Sequence, residues 1–216
     1  MGSYVARPVW RRFAARFAEN AAAWVRAGGH AAITDEAGPG LGVVVGATNE
    51  GAITEAGRWS LLAIDVRRWT WAREGPFAGL IEARIGRGAR ASVLDWCARD
   101  AIFARPTRRL RLDCLACAAC CRDNDVVLEP SDVARFREAG RGELLGPGRA
   151  VRGPDGRVRL VLAPSGACQH LGRDKKCRIY ELRPYNCRAF PAGSEACLAA
   201  RETTLGLRDG DPPLGA

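Results

Sequence analysis

Cys114-Leu115-Ala116-Cys117-Ala118-Ala119-Cys120-Cys121 puts four cysteines into eight residues, and four more follow at Cys168, Cys177, Cys187 and Cys197. Thiolates at C-x2-C spacing converge on one centre, and soft sulfur ligands select zinc, copper(I) or iron–sulfur clusters. A chain that spends eight cysteines this way is expected to hold metal, and to use it to staple a small domain.

The first group can be read further. Three cysteines at successive x2 spacings match the run that supplies three corners of a [4Fe–4S] cluster. The neighbouring side chains of Cys120 and Cys121 are expected to diverge. One of the two then serves a different centre, or supports the fold without ligating. The second group is spread out, with eight residues between Cys168 and Cys177 and nine in each later interval, so the tertiary fold must gather it. Eight thiolates can form two four-thiolate centres, or one cluster with spare thiols. The cofactor is therefore Zn2+ or an iron–sulfur cluster, [4Fe–4S] if the metal is iron. His170 could replace one sulfur; His30 lies in the other half of the chain.

The remaining composition bounds the setting. The chain has 216 residues, 47% hydrophobic and 26% charged, a globular balance that excludes wholesale disorder. No apolar run approaches the ~20 residues of a membrane span. Arginines interrupt Tyr4–Val25, so no secretory apolar segment is read there. The expected compartment is a reducing cytoplasm, and nine cysteines cannot all pair as disulfides. The net charge is +9, and of 33 basic residues only Lys175 and Lys176 are lysines. The arginines are dispersed, and no finger, helix-turn-helix or aromatic RNA-binding pattern accompanies them. Nucleic acid is not an expected partner.

The expected fold class is mainly α with short irregular strands. Pro8–Ala27 reads as an amphipathic helix, with Trp10, Phe13, Phe17, Ala21 and Trp24 at three- and four-residue steps before Gly28-Gly29. Docking on its own domain is preferred to a membrane surface. Leu41–Gly46 is strand-like, and Gly38, Gly40 and Gly42 lack the pattern of a phosphate loop. Further helices are expected at Trp59–Trp71, from Pro76 toward Ile85, and at Val93–Ala104. Cys97, among apolar neighbours in the last of these, reads as a packing residue. Short strands are expected at Leu110–Leu112, Val126–Leu128 and Val158–Leu162, and a helix at Asp132–Ala139. Three regions follow: residues 1–105, a helical region that could meet a protein partner; residues 106–204, the cysteine domain; and residues 205–216, a disordered tail.

The run through Cys121, then Cys168-Gln-His-Leu, then Cys177-Arg-Ile-Tyr-Glu-Leu-Arg-Pro-Tyr-Asn-Cys187-Arg-Ala-Phe-Pro, resembles the YkgJ-type cysteine-cluster family. That family is described as zinc- or iron-chelating. A related module occurs in flagellin lysine-N-methylase, where the resemblance implies an iron–sulfur centre working with S-adenosylmethionine. The likeness covers about residues 112–197 and leaves residues 1–105 unassigned.

Metal thiolates carry excess negative charge, which nearby N–H donors and cations offset. Arg178, Arg183 and Arg188 stand beside Cys177 and Cys187 in sequence and are expected to do this. The functional expectation is a metal-binding protein with Cys114, Cys117, Cys120, Cys121, Cys168, Cys177, Cys187 and Cys197 as ligands. The alternatives are methyl transfer or electron transfer. The radical S-adenosylmethionine spacing C-x3-C-x2-C is missing. No catalytic residue can be named.

Overall fold

A computed structural model describes residues 3–35, 40–122 and 125–208. Gly38 of the glycine-rich loop, and positions 209–216 of the expected tail, lie outside the described residues. The chain divides into two compact units. One comprises Tyr4–Leu110 with Gly193–Ala196; the other comprises Arg111–Ala192 and the segment from Cys197 onward.

The first unit is mixed α/β, which corrects the expectation of a mainly helical fold. Its elements run β1 (Ser3–Pro8, from Tyr4), β2 (Trp10–Ala14), α1 (Ala18–Arg26), β3 (His30–Thr34), β4 (Leu41–Val45), α2 (Glu55–Leu62), β5 (Thr70–Trp71), β6 (Ile81–Arg84), α3 (Arg87–Asp100) and β7 (Thr107–Leu112, as far as Leu110). β1 pairs with β7, and a five-stranded sheet has the order β2-β3-β4-β6-β5. β2 lies parallel to β3 with Trp10 opposite His30, while the other neighbours are antiparallel.

Alternation along β3 and β4 sorts side chains to two faces. Ala31 and Val44 join Ala21, Ala22 and Val25 of α1 in one cluster. Ala32, Leu41, Val43 and Val45 pack with Trp10, Leu61, Val93, Trp96 and Cys97 in another. The apolar stripe of α1 is thus covered by its own sheet. Both faces of the sheet are buried, and small alanines let α1 approach closely.

The helical expectations fail for identifiable reasons. Trp10 and Phe13 occupy β2, and only the second half of Pro8–Ala27 is helical. The helix expected at Trp59–Trp71 starts earlier, where Thr54 Oγ1 accepts from the N–H of Gly57 at 3.2 Å. It ends at Leu62, ahead of Asp65, whose φ of 54° is left-handed. Residues 76–85 form a turn and β6, because Gly75 and Gly79 take φ of 74° and 81°. α3 runs Arg87–Asp100 where Val93–Ala104 was expected.

Polar side chains are also buried in this unit. Asp100 and Glu195, both essentially inaccessible, hold the guanidinium groups of Arg7 and Arg99. Trp10 donates its backbone N–H to Asp100 Oδ2 at 3.0 Å and its indole N–H to Glu195 Oε1 at 2.9 Å. Burial alone would raise the pKa of Asp100. The Arg99 hydrogen bonds and the charges of Arg7 and Arg99 outweigh it and hold the carboxyl below its ordinary range.

The second unit is built on α4 (Cys114–Cys117), β8 (Val127–Leu128), α5 (Pro130–Glu138), β9 (Ala150–Arg152), β10 (Val158–Leu160), α6 (Tyr185–Ala189) and α7 (Glu195–Leu205, from Cys197). β8, β10 and β9 form an antiparallel sheet in that order. Phe136, fully buried, centres a core of Val126, Leu128, Leu144, Leu160 and Ile179, and Cys177 and Cys187 pack against it. Among the described residues, no helix is long and apolar enough to cross a membrane.

Candidate metal centre

Local backbone delivers the cysteines in three ways. In the first, α4 carries Cys114 and Cys117 on one turn. Ala118 then adopts a left-handed φ of 51° and sends Cys120 and Cys121 into a 3-10 turn. That break keeps a continuous helix from spreading the four sulfurs around its circumference.

In the second, two successive turns repeat the same bonds nine residues apart. Leu162 bridges Cys168, and Leu171 bridges Cys177. Ala163 N–H donates to Ala167 O at 2.8 Å, and Gly172 N–H to Lys176 O at 2.8 Å. Left-handed residues close both turns, Gly166 at φ 79° and Lys175 at φ 63°. Each turn ends in a cysteine whose sulfur accepts backbone N–H groups, from His170 and Leu171 at Cys168 and from Ile179 at Cys177. Donors aimed at sulfur favour the thiolate.

In the third, helices carry the rest. Cys187 lies in α6, whose first residue, Tyr185, donates its backbone N–H to Asp132 Oδ1 at 2.8 Å. Cys197 lies in α7.

None of the nine cysteines is disulfide-bonded in the structure. Cys97 belongs to the core of the first unit. The other eight lie in the second unit. Cys114 faces Cys117, with Asp113, Arg183 and Arg201 also near it, and Cys120 faces Cys114 and Cys197. Cys168 faces Cys121 and Cys177, while Cys187 faces Cys121, Cys168 and Cys177. Cys120 and Cys121 are hydrogen-bonded to each other and are the link between the groups. That bond raises the pKa of Cys120, with burial adding to it, and lowers that of Cys121, with Arg183 assisting. Burial and then the three neighbouring thiols push Cys187 up to about 12.

A cavity of about 90 Å³ is lined by Cys114, Cys120, Cys121, Cys168, Cys177 and Cys187, with Lys175 and Arg183 among its polar walls. Arg183 lies 3.7 Å over the Tyr180 ring, its Nε donates to Tyr180 O at 3.0 Å, and Arg135 Nη2 donates to Arg183 O at 3.0 Å. Arg178 and Arg188 are exposed, and Arg188 Nε donates to Arg183 O at 3.1 Å. Neither lines the cavity. His170 is 5% exposed, its Nε2 has no hydrogen-bond partner, and burial lowers its pKa.

Sequence reasoning missed Arg201. It is 2% exposed, and its Nη1 donates to Cys117 Sγ at 3.0 Å. The available signal was its position one helical turn after Cys197.

Among the described residues, no three Cys, His, Asp or Glu side chains are drawn tightly enough around one point to enclose an ion. In donor type, number and grouping, with N–H groups on sulfur and cations beside it, the site suits a thiolate-bound metal.

The family model named CxxCxxCC, described as a "Putative zinc- or iron-chelating domain", matches residues 113–204, somewhat less than half of the chain. No curated protein and no solved structure matches the chain. The expected relation to the flagellin lysine-N-methylase module therefore rests on the motif alone.

Proposed function

We propose that the second unit binds two metal centres. Cys114, Cys117, Cys120 and Cys197 form one, and Cys121, Cys168, Cys177 and Cys187 the other. What supports this reading is backbone geometry: the left-handed break at Ala118 separates Cys114 and Cys117 on α4 from the pair that follows, the N–H of Cys168 donates to Cys121 O at 2.7 Å, and Arg201 of the helix that carries Cys197 reaches Cys117 Sγ at 3.0 Å. Each set numbers four, the thiolate count of a closed zinc or iron–sulfur site.

Zinc there would tie the three cysteine-bearing segments together; an iron–sulfur cluster would also carry an electron. The chain's own part is clearer. Two matching turns present sulfur beneath N–H donors, α6 and α7 bring Cys187 and Cys197, and Arg183 offsets charge at the second set. Such thiols stay reduced in a cytoplasm-like compartment. The core around Phe136 is small, and metal binding would supply folding free energy to it.

Metal and acid-labile sulfide analysis of protein purified without oxygen tests this. Cys117→Ser and Cys187→Ser are each expected to remove about half of the metal, from different sets. Loss of all metal in both variants means a single centre. Full loading in both overturns the ligand assignment.

A further inference from the structure

We infer that Arg201 is the counter-cation of the centre formed by Cys114, Cys117, Cys120 and Cys197, and makes it the more tightly held of the two. The inference rests on the two-centre reading above. Arg201 is 2% exposed, and a guanidinium cannot escape burial by losing its proton. Nε and Nη2 have no hydrogen-bond partner, and Nη1 reaches Cys117 Sγ at 3.0 Å. No carboxylate salt bridge to Arg201 occurs among the described residues.

A buried cation facing a neutral thiol is a costly arrangement; facing a metal thiolate it is compensated. The compensation is mutual, because four thiolates on a divalent ion leave excess negative charge that needs an offset. α7 supplies it economically. Cys197 and Arg201 stand at i and i+4 on one helix face, so one helix carries both a ligand and the charge that balances the ligand set.

Arg183, the cation at the other set, also shares a cavity wall with Cys114 and Cys120, so Arg201 is the charge that distinguishes the first set. Arg183 is partly exposed, stacked on Tyr180 and in contact with solvent, where water screens its charge. Low dielectric around Arg201 gives the same unit charge more effect on the sulfurs it faces. The two centres therefore differ in retention although both have four thiolates.

The test is competition with a chromophoric zinc chelator at fixed pH on the zinc-loaded full chain. Alkylation footprinting of the cysteines identifies which set has been emptied. In the wild type, Cys121, Cys168, Cys177 and Cys187 are expected to become reactive first. Arg201→Gln is expected to weaken the Cys114 set about 10–100-fold while leaving the other unchanged, and Arg201→Lys to restore most of the loss.

Equal retention in wild type and Arg201→Gln overturns the inference, as does equal weakening of both sets. Arg201→Lys as weak as Arg201→Gln shows that shape, not charge, is at work. If Arg201→Gln does not fold, the wild-type order decides alone: release from the Cys114 set first overturns the inference. A wild-type chain that takes up no metal sinks the two-centre reading itself, a result distinct from all of these.

Discussion

The backbone N–H of Cys168 donates to the carbonyl oxygen of Cys121 at 2.7 Å. This bond joins the end of the eight-residue cysteine run to the first of the two matching turns. It fixes Cys121 beside the downstream cysteines. Cys121→Ser is therefore expected to expose Cys168, Cys177 and Cys187 to iodoacetamide while Cys114, Cys117 and Cys197 stay protected. Cys120→Ser is expected to give the complementary pattern. Identical alkylation patterns in the two variants would contradict the division.

Asp132 links the helical core to a cysteine. Its Oδ2 accepts the N–H of Glu129 at 3.0 Å to complete a capping box on α5, and its Oδ1 accepts the N–H of Tyr185 at the start of α6. Asp132→Ala removes both acceptors from a residue only 1% exposed. The expected loss is about 2–4 kcal/mol, combining a cap with a hydrogen bond to a charged group. Because α6 carries Cys187, faster alkylation of that thiol should accompany the fall in the circular-dichroism melting temperature.

The cysteine motif was legible because ligand chemistry is local: spacing alone places Cys114 and Cys117 on one turn. The sheet was not. Trp10, Phe13 and Phe17 fit helical spacing, and only the pairing of β2 with β3 makes the first half a strand. β3 itself, His30–Thr34, is rich in alanine, a poor strand former, and is held by neighbours on both sides. Breaks at Asp65, Gly75 and Gly79 are backbone conformations that composition barely signals. Arg201 was hidden by abundance, since in so arginine-rich a chain only its burial distinguishes it. The expectation that Arg178, Arg183 and Arg188 act as a set followed sequence proximity, and only Arg183 reaches the thiol cavity.

The buried ion cluster of the first unit gives a stability prediction with a convenient probe. All six tryptophans lie between Trp10 and Trp96, so their fluorescence reports this unit alone. Asp100→Ala leaves Arg7 and Arg99 with one carboxylate fewer in a site from which solvent is excluded. Breaking a buried pair from one side costs about 3–5 kcal/mol. A urea transition followed by tryptophan emission should shift by that amount, and metal content should not change. A shift below about 1 kcal/mol would mean that water reaches the cluster.

His30 gives the same unit a pH dependence of known sign. The ring is 2% exposed and packs edge-on against Trp10, with centroids 5.0 Å apart. Burial, aided by the charge of Arg7, lowers its pKa from 6.5 to about 4 against the opposing pull of the Gly29 carbonyl. The folded state therefore binds fewer protons than the unfolded state between those two values. Stability from the neutral ring is fully present above pH 6.5 and is lost as pH falls toward 4. Between pH 7 and pH 5 the unit should lose about 2 kcal/mol, a range in which ordinary carboxylates remain largely ionised. His30→Gln should be less stable at pH 7 yet nearly flat across the interval. Parallel slopes for the wild type and the variant in tryptophan-monitored urea unfolding would assign the pH dependence to another group.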